Sequence, residues 1–491
     1  MKKQLQKNKF TWHCWFESFF HLSLFFMLFD WACPMPYLEG TFGAYEFALL
    51  GTGICLFGCL KKENFRFIKH IGSVLVSAKW LVGCFVAYVV YGFITLFYGG
   101  NFSFGSYRYI VVLQMILFSF YMFYYLSPRE ESNSLKQLKK IATNLSFVSM
   151  VIALVSLVGY FTQWYTVYYQ RISPIRDYNQ YTTILLMGTI AFSAMIINMR
   201  PLAFWKRYTA LGAYWCVISV AVICAGSRRS QILLCVLGMI FAVYALYMQG
   251  KYHRKRHNHG VSLGVTIVSL SLCFALCSGI SSFVFNVVGE LAPARLEKAL
   301  ALMETEEADS NVMESVILSG EQYELTDSFK GLTNGKGFSS REAIWKAAYK
   351  KIKSSDTKHL LFGYGAPYSW ELYDDLSNPL VIPVREYYRL EDDKTLWMNP
   401  HNFLLQDALD GGLLFVAIEI TLLISLFISF LKLLYRTPHT ALPLIMMNGV
   451  LYVTLMISSG TGMVAHKFLW LLMVFQIMEI YRMVKKKEMV S

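Results

Sequence analysis

The sequence predicts an all-α integral membrane protein with about twelve transmembrane helices and one large extracytoplasmic loop that contains short helices. Composition is the first reason, because 55% of the 491 residues are apolar, only 16% are charged and the mean hydropathy is +0.42. Such a chain is too apolar for a soluble domain of this length. The second reason is that apolar stretches of about 20 residues, long enough to cross roughly 30 Å of hydrocarbon as a helix, recur along almost the whole sequence.

These stretches divide the chain into three parts. We expect nine transmembrane helices in 1–289, the large loop in 290–400, and a surface helix followed by three transmembrane helices in 401–491. No small-residue cleavage site follows the first stretch, which predicts an uncleaved anchor rather than a secretory signal peptide. The expected spans are 16–33, 42–60, 80–98, 107–126, 141–162, 179–198, 208–226, 230–248, 261–287, 413–433, 441–458 and 467–483.

The distribution of lysine and arginine predicts the orientation, because segments on the cytoplasmic side carry an excess of both. With the N-terminus in the cytoplasm, 26 of the 45 lysines and arginines fall in inner segments, and 13 of the others lie in the loop 290–400. Both termini are therefore expected in the cytoplasm, and the large loop on the other side.

Composition also argues against several functions. The net charge of +13 is scattered over inner segments as a topology signal and forms no single basic stripe, so we expect no nucleic-acid partner. The ten cysteines avoid the long loop, which argues against a disulfide framework. His253, His257 and His259 alternate with cations in a predicted inner segment, which favours a topology signal over a metal site. No metal and no cofactor are expected.

The long loop contains one clear helix signal. Residues 339–349 begin with a Ser-x-x-Glu capping box and place Ile344, Ala347 and Ala348 on one face. This pattern predicts an amphipathic helix that lies on the membrane or closes over a cavity. Further along, the glycines of 363–367 indicate a tight turn, and Gly411 and Gly412 are expected to break the helix that precedes the next span.

An unusual set of ionisable residues is predicted at the outer face. Placing a charged side chain at the edge of a bilayer costs several kcal/mol of free energy unless the charge is paired or solvated. Charged residues at such positions therefore indicate a functional role. The side chain of a single arginine at a helix end commonly extends to the lipid head groups. Five arginines from three separate loops instead indicate a shared role. Because guanidinium groups bind phosphate in a bidentate manner, these arginines fit a pyrophosphate at the membrane surface. The set is Arg171, Arg176, Arg228, Arg229, Arg341 and His401.

Two further residues have alternative interpretations. His401 has an imidazole that, when neutral, can accept a proton from a sugar hydroxyl, or it can simply cap the end of a helix. Glu419 lies within a predicted span, where it fits a proton path and a hydrogen-bonded structural carboxylate equally well.

The order of several short motifs resembles the O-antigen ligase and polymerase family, which contains WaaL-type ligases and Wzy-type polymerases. No single motif is specific, but the ordered set with one large outer loop covers roughly 176–415 and agrees with the family. The motifs are Arg176-Asp177-Tyr178-Asn179, Ser227-Arg228-Arg229-Ser230, Ser340-Arg341-Glu342-Ala343-Ile344-Trp345, Phe362-Gly363-Tyr364-Gly365 and His401-Asn402-Phe403-Leu404.

The resemblance implies an inverting, metal-independent glycosyltransferase that uses a polyprenyl-pyrophosphate-linked sugar donor. It implies that His401 is the general base and that Arg228 and Arg341 are catalytic contacts to the pyrophosphate, although Arg229 could take the place of Arg228. The remaining substrate-binding candidates are Arg171, Arg176, Asn179 and Asn402.

The resemblance also implies an activity, partners and a location. We expect a polymerase that joins lipid-linked oligosaccharide repeats into a capsule, an exopolysaccharide or O-antigen. The alternative is a ligase that transfers the glycan to a lipid or protein. A flippase is less favoured, because such transporters usually have two similar halves and short loops, whereas the single long loop here is asymmetric. A non-catalytic scaffold is the third option. Expected partners are the lipid-linked oligosaccharide donor and acceptor, the bilayer, a chain-length regulator and a flippase. The implied location is the bacterial cytoplasmic membrane, with the active site outside.

Overall fold

In the computed structural model, the regular elements of the described residues are helices throughout. The all-α prediction is confirmed for this part of the chain. The structure describes residues 12–28, 43–99, 102–127, 131–161, 178–198, 204–225, 227–253, 283, 339–375, 378–379, 381–387, 400–436 and 467–488.

The described helices follow the predicted spans closely in the N-terminal half. The helices before the long loop are α1 (Trp12–Leu28), α2 (Ala44–Lys62), α3 (Arg66–Ser77), α4 (Lys79–Tyr98), α5 (Phe102–Leu126), α6 (Glu131–Phe161), α7 (Tyr178–Asn198), α8 (Phe204–Cys224) and α9 (Arg228–His253). The later ones are α10 (Ser339–Lys353), α11 (Thr357–Phe362), α12 (Tyr368–Glu371) with a 3-10 turn at Leu372–Asp374, α13 (Ile382–Tyr387), α14 (Phe403–Arg436) and α15 (Lys467–Glu488).

Several of these helices can cross a membrane. Four described helical segments are long and apolar enough to do so, in α2, α4, α6 and α14, and shorter apolar stretches occur in α5, α7, α8 and α9. The chain is therefore a membrane protein. The expected spans 261–287 and 441–458 lie outside the described residues. The count of twelve spans, and the boundaries at 289 and 400, stay predictions.

One helix was not predicted. Residues 66–77 were read as part of an inner connecting segment, yet they form α3. Phe67 and Val74, seven residues apart, share one buried face, and Phe67 packs edge-on against Phe120 and Tyr124 of α5. The helix is too short and too polar for a span, so a search for long apolar stretches does not detect it.

The bundle has two distinct ends. The first is the basic end, where α5 finishes at Leu126 and α6 begins five residues later, at Glu131. Here Arg482 of α15 donates to the Leu126 carbonyl at 3.3 Å. His70 of α3 packs on Tyr481 of α15, which places α3 and the start of α4 at this end as well. The name reflects its exposed cations, which are Lys61, Lys62, Arg66, Lys79, Lys139, Lys140 and Lys485.

The opposite end, called the loop end, is where α4 finishes and where α7 and α9 begin. Helix α7 runs antiparallel to α6, since Ser149 Oγ donates to the Ile184 carbonyl at 2.9 Å and the earlier Thr143 Oγ1 donates to the later Met195 Sδ at 3.4 Å. Helix α7 therefore starts at the loop end. Residues 363–367 also cover this end, because the Ala366 amide donates to the Thr95 carbonyl near the end of α4 at 3.0 Å. The segments around Asn179, Arg228 and Arg341 therefore lie at the same end of the bundle.

Candidate active site

Helix α10 of the long loop is held by a small apolar core of its own. Ile344, Ala347 and Ala348 are 1%, 0% and 0% exposed, as the predicted amphipathic face requires. Tyr373 is fully buried in the same core, and its hydroxyl donates to the Ile344 carbonyl at 3.1 Å. Tyr373 therefore has a packing role in this core. The other members of the core are Leu372, Val381, Val384 and Leu409.

The His401 segment is tied directly to this helix. Trp345 Nε1 of α10 donates to the Pro400 carbonyl at 2.8 Å, so the tryptophan holds the residue immediately before His401. Arg341 lies in the first turn of α10, four residues before Trp345, and positions four apart share one face of a helix. The structure thus brings the backbone positions of Arg341 and His401 together.

His401 itself has an uncommon backbone conformation. Its φ of 49° lies in the left-handed region, which costs a non-glycine residue about 1–2 kcal/mol. The next residue, Asn402, caps α14 with its Oδ1 atom, which accepts from the amides of Leu404 at 3.0 Å and Leu405 at 3.3 Å. Phe403 is 1% exposed and anchors the first turn in the core. The Asn402 cap, the buried Phe403 and the hydrogen bond from Trp345 to the Pro400 carbonyl hold the backbone on both sides of His401. The His401 side chain itself is partly exposed.

The Ser-Arg-Arg-Ser motif is fixed at the start of α9. Arg228 and Arg229 occupy the first turn of the helix, where backbone amides and the helix dipole favour an anion. The serines on either side are buried: Ser227 Oγ donates to Ser230 Oγ at 3.0 Å, and Ser230 shares a hydrogen bond of 2.7 Å with Thr182 of α7. This hydroxyl chain holds the starts of α7 and α9 together.

Asn179 lies in the first turn of α7, one turn before Thr182, so the hydroxyl chain brings its backbone near the arginine pair. The other two candidates of this group, Arg171 and Arg176, lie outside the described residues. The structure therefore forms two groups at the loop end, one around His401 and Arg341 and one around Arg228, Arg229 and Asn179. Their substrate-binding and catalytic roles stay predictions.

The hydroxyl chain can be tested through stability. We expect Thr182→Val to lower the free energy of unfolding by about 1 kcal/mol, because it removes an interhelical hydrogen bond at constant shape. Thr189→Val is the matched control: Thr189 is equally buried in α7, but its hydroxyl bonds only to the Leu185 carbonyl of its own helix. The measurement is unfolding by sodium dodecyl sulfate in mixed micelles. Equal losses in the two variants would contradict the proposed link between α7 and α9.

A protein-family model described as O-antigen ligase (Wzy_C) matches residues 213–420. This part of the chain is similar to the O-antigen ligase family. No curated protein matches the chain. We call the matched residues 213–420 the ligase-family domain. It includes the arginine pair, α10, His401 and the start of α14, whereas Asn179 lies before it.

Proteins of that family are glycosyltransferase-like ligases and polymerases that act on lipid-linked glycans at membranes. Within the described residues, no group of three or more histidine, cysteine, aspartate or glutamate side chains is placed to hold a metal ion.

A glycine turn of the ligase-family domain closes the loop end. Helix α14 breaks at Gly412, as predicted, where φ is 72° and ψ is −172°. The break leaves backbone carbonyls without their helical partners, and the turn supplies amides: Tyr364 donates to Leu409 O at 2.8 Å and Gly365 to Asp410 O at 2.9 Å. Because these two amides are occupied, they are not available to bind a phosphate.

An aromatic column stands beside this turn. Tyr364 stacks between His359 at 4.5 Å and Tyr368 at 4.2 Å, measured between ring centroids, and Lys351 Nζ lies 5.0 Å from the Tyr364 ring. Burial lowers the pKa of Lys351, but the Tyr368 and Tyr364 hydroxyls and Asp375 outweigh it, so the net pKa is raised and the amine stays charged. Partly exposed rings beside a fixed cation suit contact with a sugar ring.

Sequence reasoning missed two kinds of site residue. The role of Trp345 was missed because its partner is a backbone carbonyl 55 residues later. Asp407, 2% exposed, was missed because it follows the His-Asn motif without a recognisable spacing; it accepts a hydrogen bond of 2.7 Å from the fully buried Tyr88 hydroxyl of α4. The available signal was an acidic residue inside an apolar helix, the same signal that drew attention to Glu419.

Proposed function

We propose that the protein is a membrane glycosyltransferase that polymerises polyprenyl-pyrophosphate-linked oligosaccharide repeats into a surface polysaccharide such as a capsule, an exopolysaccharide or O-antigen. The observation that carries the proposal is the fixed His401 segment of a ligase-family domain, tied through Trp345 to the helix that begins with Arg341. The arginine pair at the start of α9 lies at the same end of the bundle.

The proposed reaction uses His401 as the general base. Its imidazole takes the proton of an acceptor sugar hydroxyl while that oxygen forms a bond to the anomeric carbon of the donor. The bond from the anomeric carbon to the pyrophosphate oxygen breaks with inversion, and the electron pair leaves with the polyprenyl pyrophosphate. Arg228 or Arg229, together with Arg341, stabilises the negative charge that develops on the leaving group. These arginines supply the positive charge that the reaction needs.

Substrate binding is assigned to the neighbouring candidates. Arg171, Arg176 and Asn179 bind and orient the donor or the acceptor, and the amide side chain of Asn402 contributes beside the base while its oxygen caps α14. The exposed cations of the basic end favour a cytoplasmic position for that end, which supports the proposal that the loop end and the active site face the extracytoplasmic side. A flippase that delivers the lipid-linked repeats and a chain-length regulator are the proposed protein partners.

The second candidate function is a ligase that transfers a finished glycan to a lipid or protein acceptor. It is favoured by the description of the matched family model. Both functions use the same donor and the same base, so the product distinguishes them.

The test uses purified full-length protein in nanodiscs with a polyprenyl-pyrophosphate oligosaccharide. Release of polyprenyl pyrophosphate with a ladder of products supports the polymerase. A single transfer, seen only when a separate acceptor is added, supports the ligase and overturns polymerisation. Unchanged lipid-linked sugar under conditions in which the protein is folded contradicts both.

The contact between Trp345 and Pro400 has its own prediction. Trp345→Phe keeps an aromatic ring but removes the donor, and we expect transfer to fall by about tenfold, roughly the value of one hydrogen bond in the active conformation. Tyr349→Phe is the control on the same helix, because Tyr349 is 58% exposed. Initial rates of polyprenyl pyrophosphate release are the measurement. An unchanged rate in Trp345→Phe would show that this contact does not position His401.

A further inference from the structure

Helices α4 and α14 present apolar surface on the outside of the bundle. The two helices pack side by side in opposite directions, since Tyr91 of α4 donates to the Gly411 carbonyl at 3.1 Å and Cys84 lies 3.4 Å from the Ser425 hydroxyl. On each helix, exposed apolar side chains recur at spacings of three, four or seven residues, which places them along one face. Because both helices are long and apolar enough to cross a membrane, these two stripes face lipid. The α4 stripe comprises Val86, Val90, Ile94 and Phe97, and the α14 stripe comprises Leu413, Ile420, Ile424, Phe427 and Leu431.

Helix α11 of the long loop lies over the point where both stripes end. Tyr98, the last residue of α4, donates its hydroxyl hydrogen to the Phe362 carbonyl at 2.6 Å. On the α14 side, the Leu361 carbonyl oxygen is so close to Gly412 that a Cβ atom on that glycine would lie 2.3 Å from it. The end residues of the two stripes directly adjoin Tyr98 and Gly412 in the chain. The C-terminal end of α11 is therefore held against the loop ends of two lipid-facing helices.

The side chains at this end of α11 are apolar and exposed. Leu361 is 43% exposed and Phe362 is 48% exposed, so both present apolar surface beside the two stripes. Contiguous exposed apolar surface of this kind marks an interaction site. Lys358, three and four residues earlier, is exposed on the same side of the helix. Aromatic rings and lysines at the end of a span are typical of the membrane–water interface, where the charge of the lysine extends to the head groups.

Helix α10 provides a contrast within the same loop. Its exposed face lies opposite its buried apolar face and carries Tyr349 together with three lysines, which suits contact with water. Exposed apolar side chains are thus not a general property of the surface of the loop. The lysines are Lys346, Lys350 and Lys353.

We propose that α11 is inserted into the lipid leaflet at the loop end, where Leu361 and Phe362 contact acyl chains and Lys358 contacts phosphate groups. Phospholipid is the occupant of this surface because the surface continues two lipid-facing stripes and is bordered by a lysine. Insertion fixes the depth of the glycine turn, which directly follows α11, and of the break at Gly412. Through the hydrogen bonds of that turn, the leaflet positions the first half of α14, which begins two residues after His401.

The lipid contact is tested by photo-cross-linking, independently of any activity. Phe362→benzoylphenylalanine is introduced into the full-length protein, which is reconstituted into nanodiscs of phosphatidylethanolamine and phosphatidylglycerol and irradiated. Mass spectrometry should find protein that carries one covalently attached phospholipid. Phe427→benzoylphenylalanine is the positive control, because Phe427 belongs to the α14 stripe. Tyr349→benzoylphenylalanine is the negative control, because Tyr349 is exposed among the lysines of α10.

Several results of this experiment would overturn the proposal. A phospholipid adduct at position 427 without one at position 362 would place α11 outside the leaflet. Equal adduct yields at positions 362 and 349 would mean that the probe reaches lipid from any exposed position of the loop. An adduct that joins two protein copies through position 362 would assign the surface to a dimer interface instead of lipid.

The positioning effect rests on the proposed function and has its own measurement. Phe362→Glu places a charge in the leaflet but keeps the backbone carbonyl that Tyr98 contacts, so we expect α11 to leave the lipid and transfer to fall by about tenfold or more. Phe362→Leu should retain transfer, and Tyr349→Glu is the matched control for the added charge. Equal transfer rates in Phe362→Glu and Tyr349→Glu would exclude the positioning effect. If the wild type transfers nothing while the phospholipid adduct forms at position 362, the proposed function fails and the lipid contact stands.

Discussion

Replacing His401 with asparagine is expected to abolish sugar transfer while the protein remains folded and inserted in the membrane. The reason is that a positioned general base contributes a factor of about 10² to 10⁴ to the rate. Asparagine is the informative substitution because it tolerates the left-handed backbone better than alanine does, and His401 has a φ of 49°. A loss of activity in His401→Asn therefore reports on the imidazole rather than on the backbone.

The controls for this experiment follow from the same geometry. His401→Ala removes the same imidazole but adds backbone strain, so it should be equally inactive and slightly less stable. Turnover of a lipid-linked oligosaccharide and the unfolding midpoint are measured on the same preparations. If His401→Asn retained a transfer rate within tenfold of the wild type, His401 would not be the general base, and another residue would have to take that role.

The helices of the bundle were largely predictable, because a span in lipid must satisfy its own hydrogen bonds and be apolar over its full length. The prediction of an amphipathic helix at 339–349 was also correct, since the spacing of Ile344, Ala347 and Ala348 specifies a buried face. Helix α3 was missed because its single buried stripe lacks the length of a span. Its stability depends on packing against α5, which the local sequence does not encode.

The candidate site was predictable in its residue types and less so in its geometry. The sequence predicts arginines on the outer side of the membrane, and Arg228 was chosen as a candidate for that reason. It also shows a histidine at the start of a helix, which made His401 a candidate. The path of the chain after the break in α14 was not visible, because Gly411 and Gly412 signal a break but not the direction that follows it. That direction is set by long-range contacts: Tyr88 on Asp407, and the amides of residues 364 and 365 on the freed carbonyls of α14.

Gly412→Ala is expected to have the second large effect, through the break in α14. Gly412 adopts φ 72° and ψ −172°, a region open essentially to glycine alone, so alanine there costs about 1–3 kcal/mol before any contact is counted. A Cβ atom would also lie 2.3 Å from the Leu361 carbonyl oxygen and 2.5 Å from the Gly363 amide nitrogen, and both are backbone atoms that cannot rotate away. The glycine turn and α14 would have to separate.

Separation of the turn would misplace the base, and a displacement of about 1 Å can cost a rate factor of about 100. We therefore expect Gly412→Ala to lose transfer by at least that factor and to unfold more readily. Gly83→Ala is the matched control: Gly83 lies inside α4, and a Cβ there meets nothing within 4 Å. This control should keep activity and gain up to about 1 kcal/mol in stability from the better helix former. If Gly412→Ala behaved like Gly83→Ala, the break would be incidental, and His401 would have to be positioned by the Trp345 contact and the Asn402 cap alone.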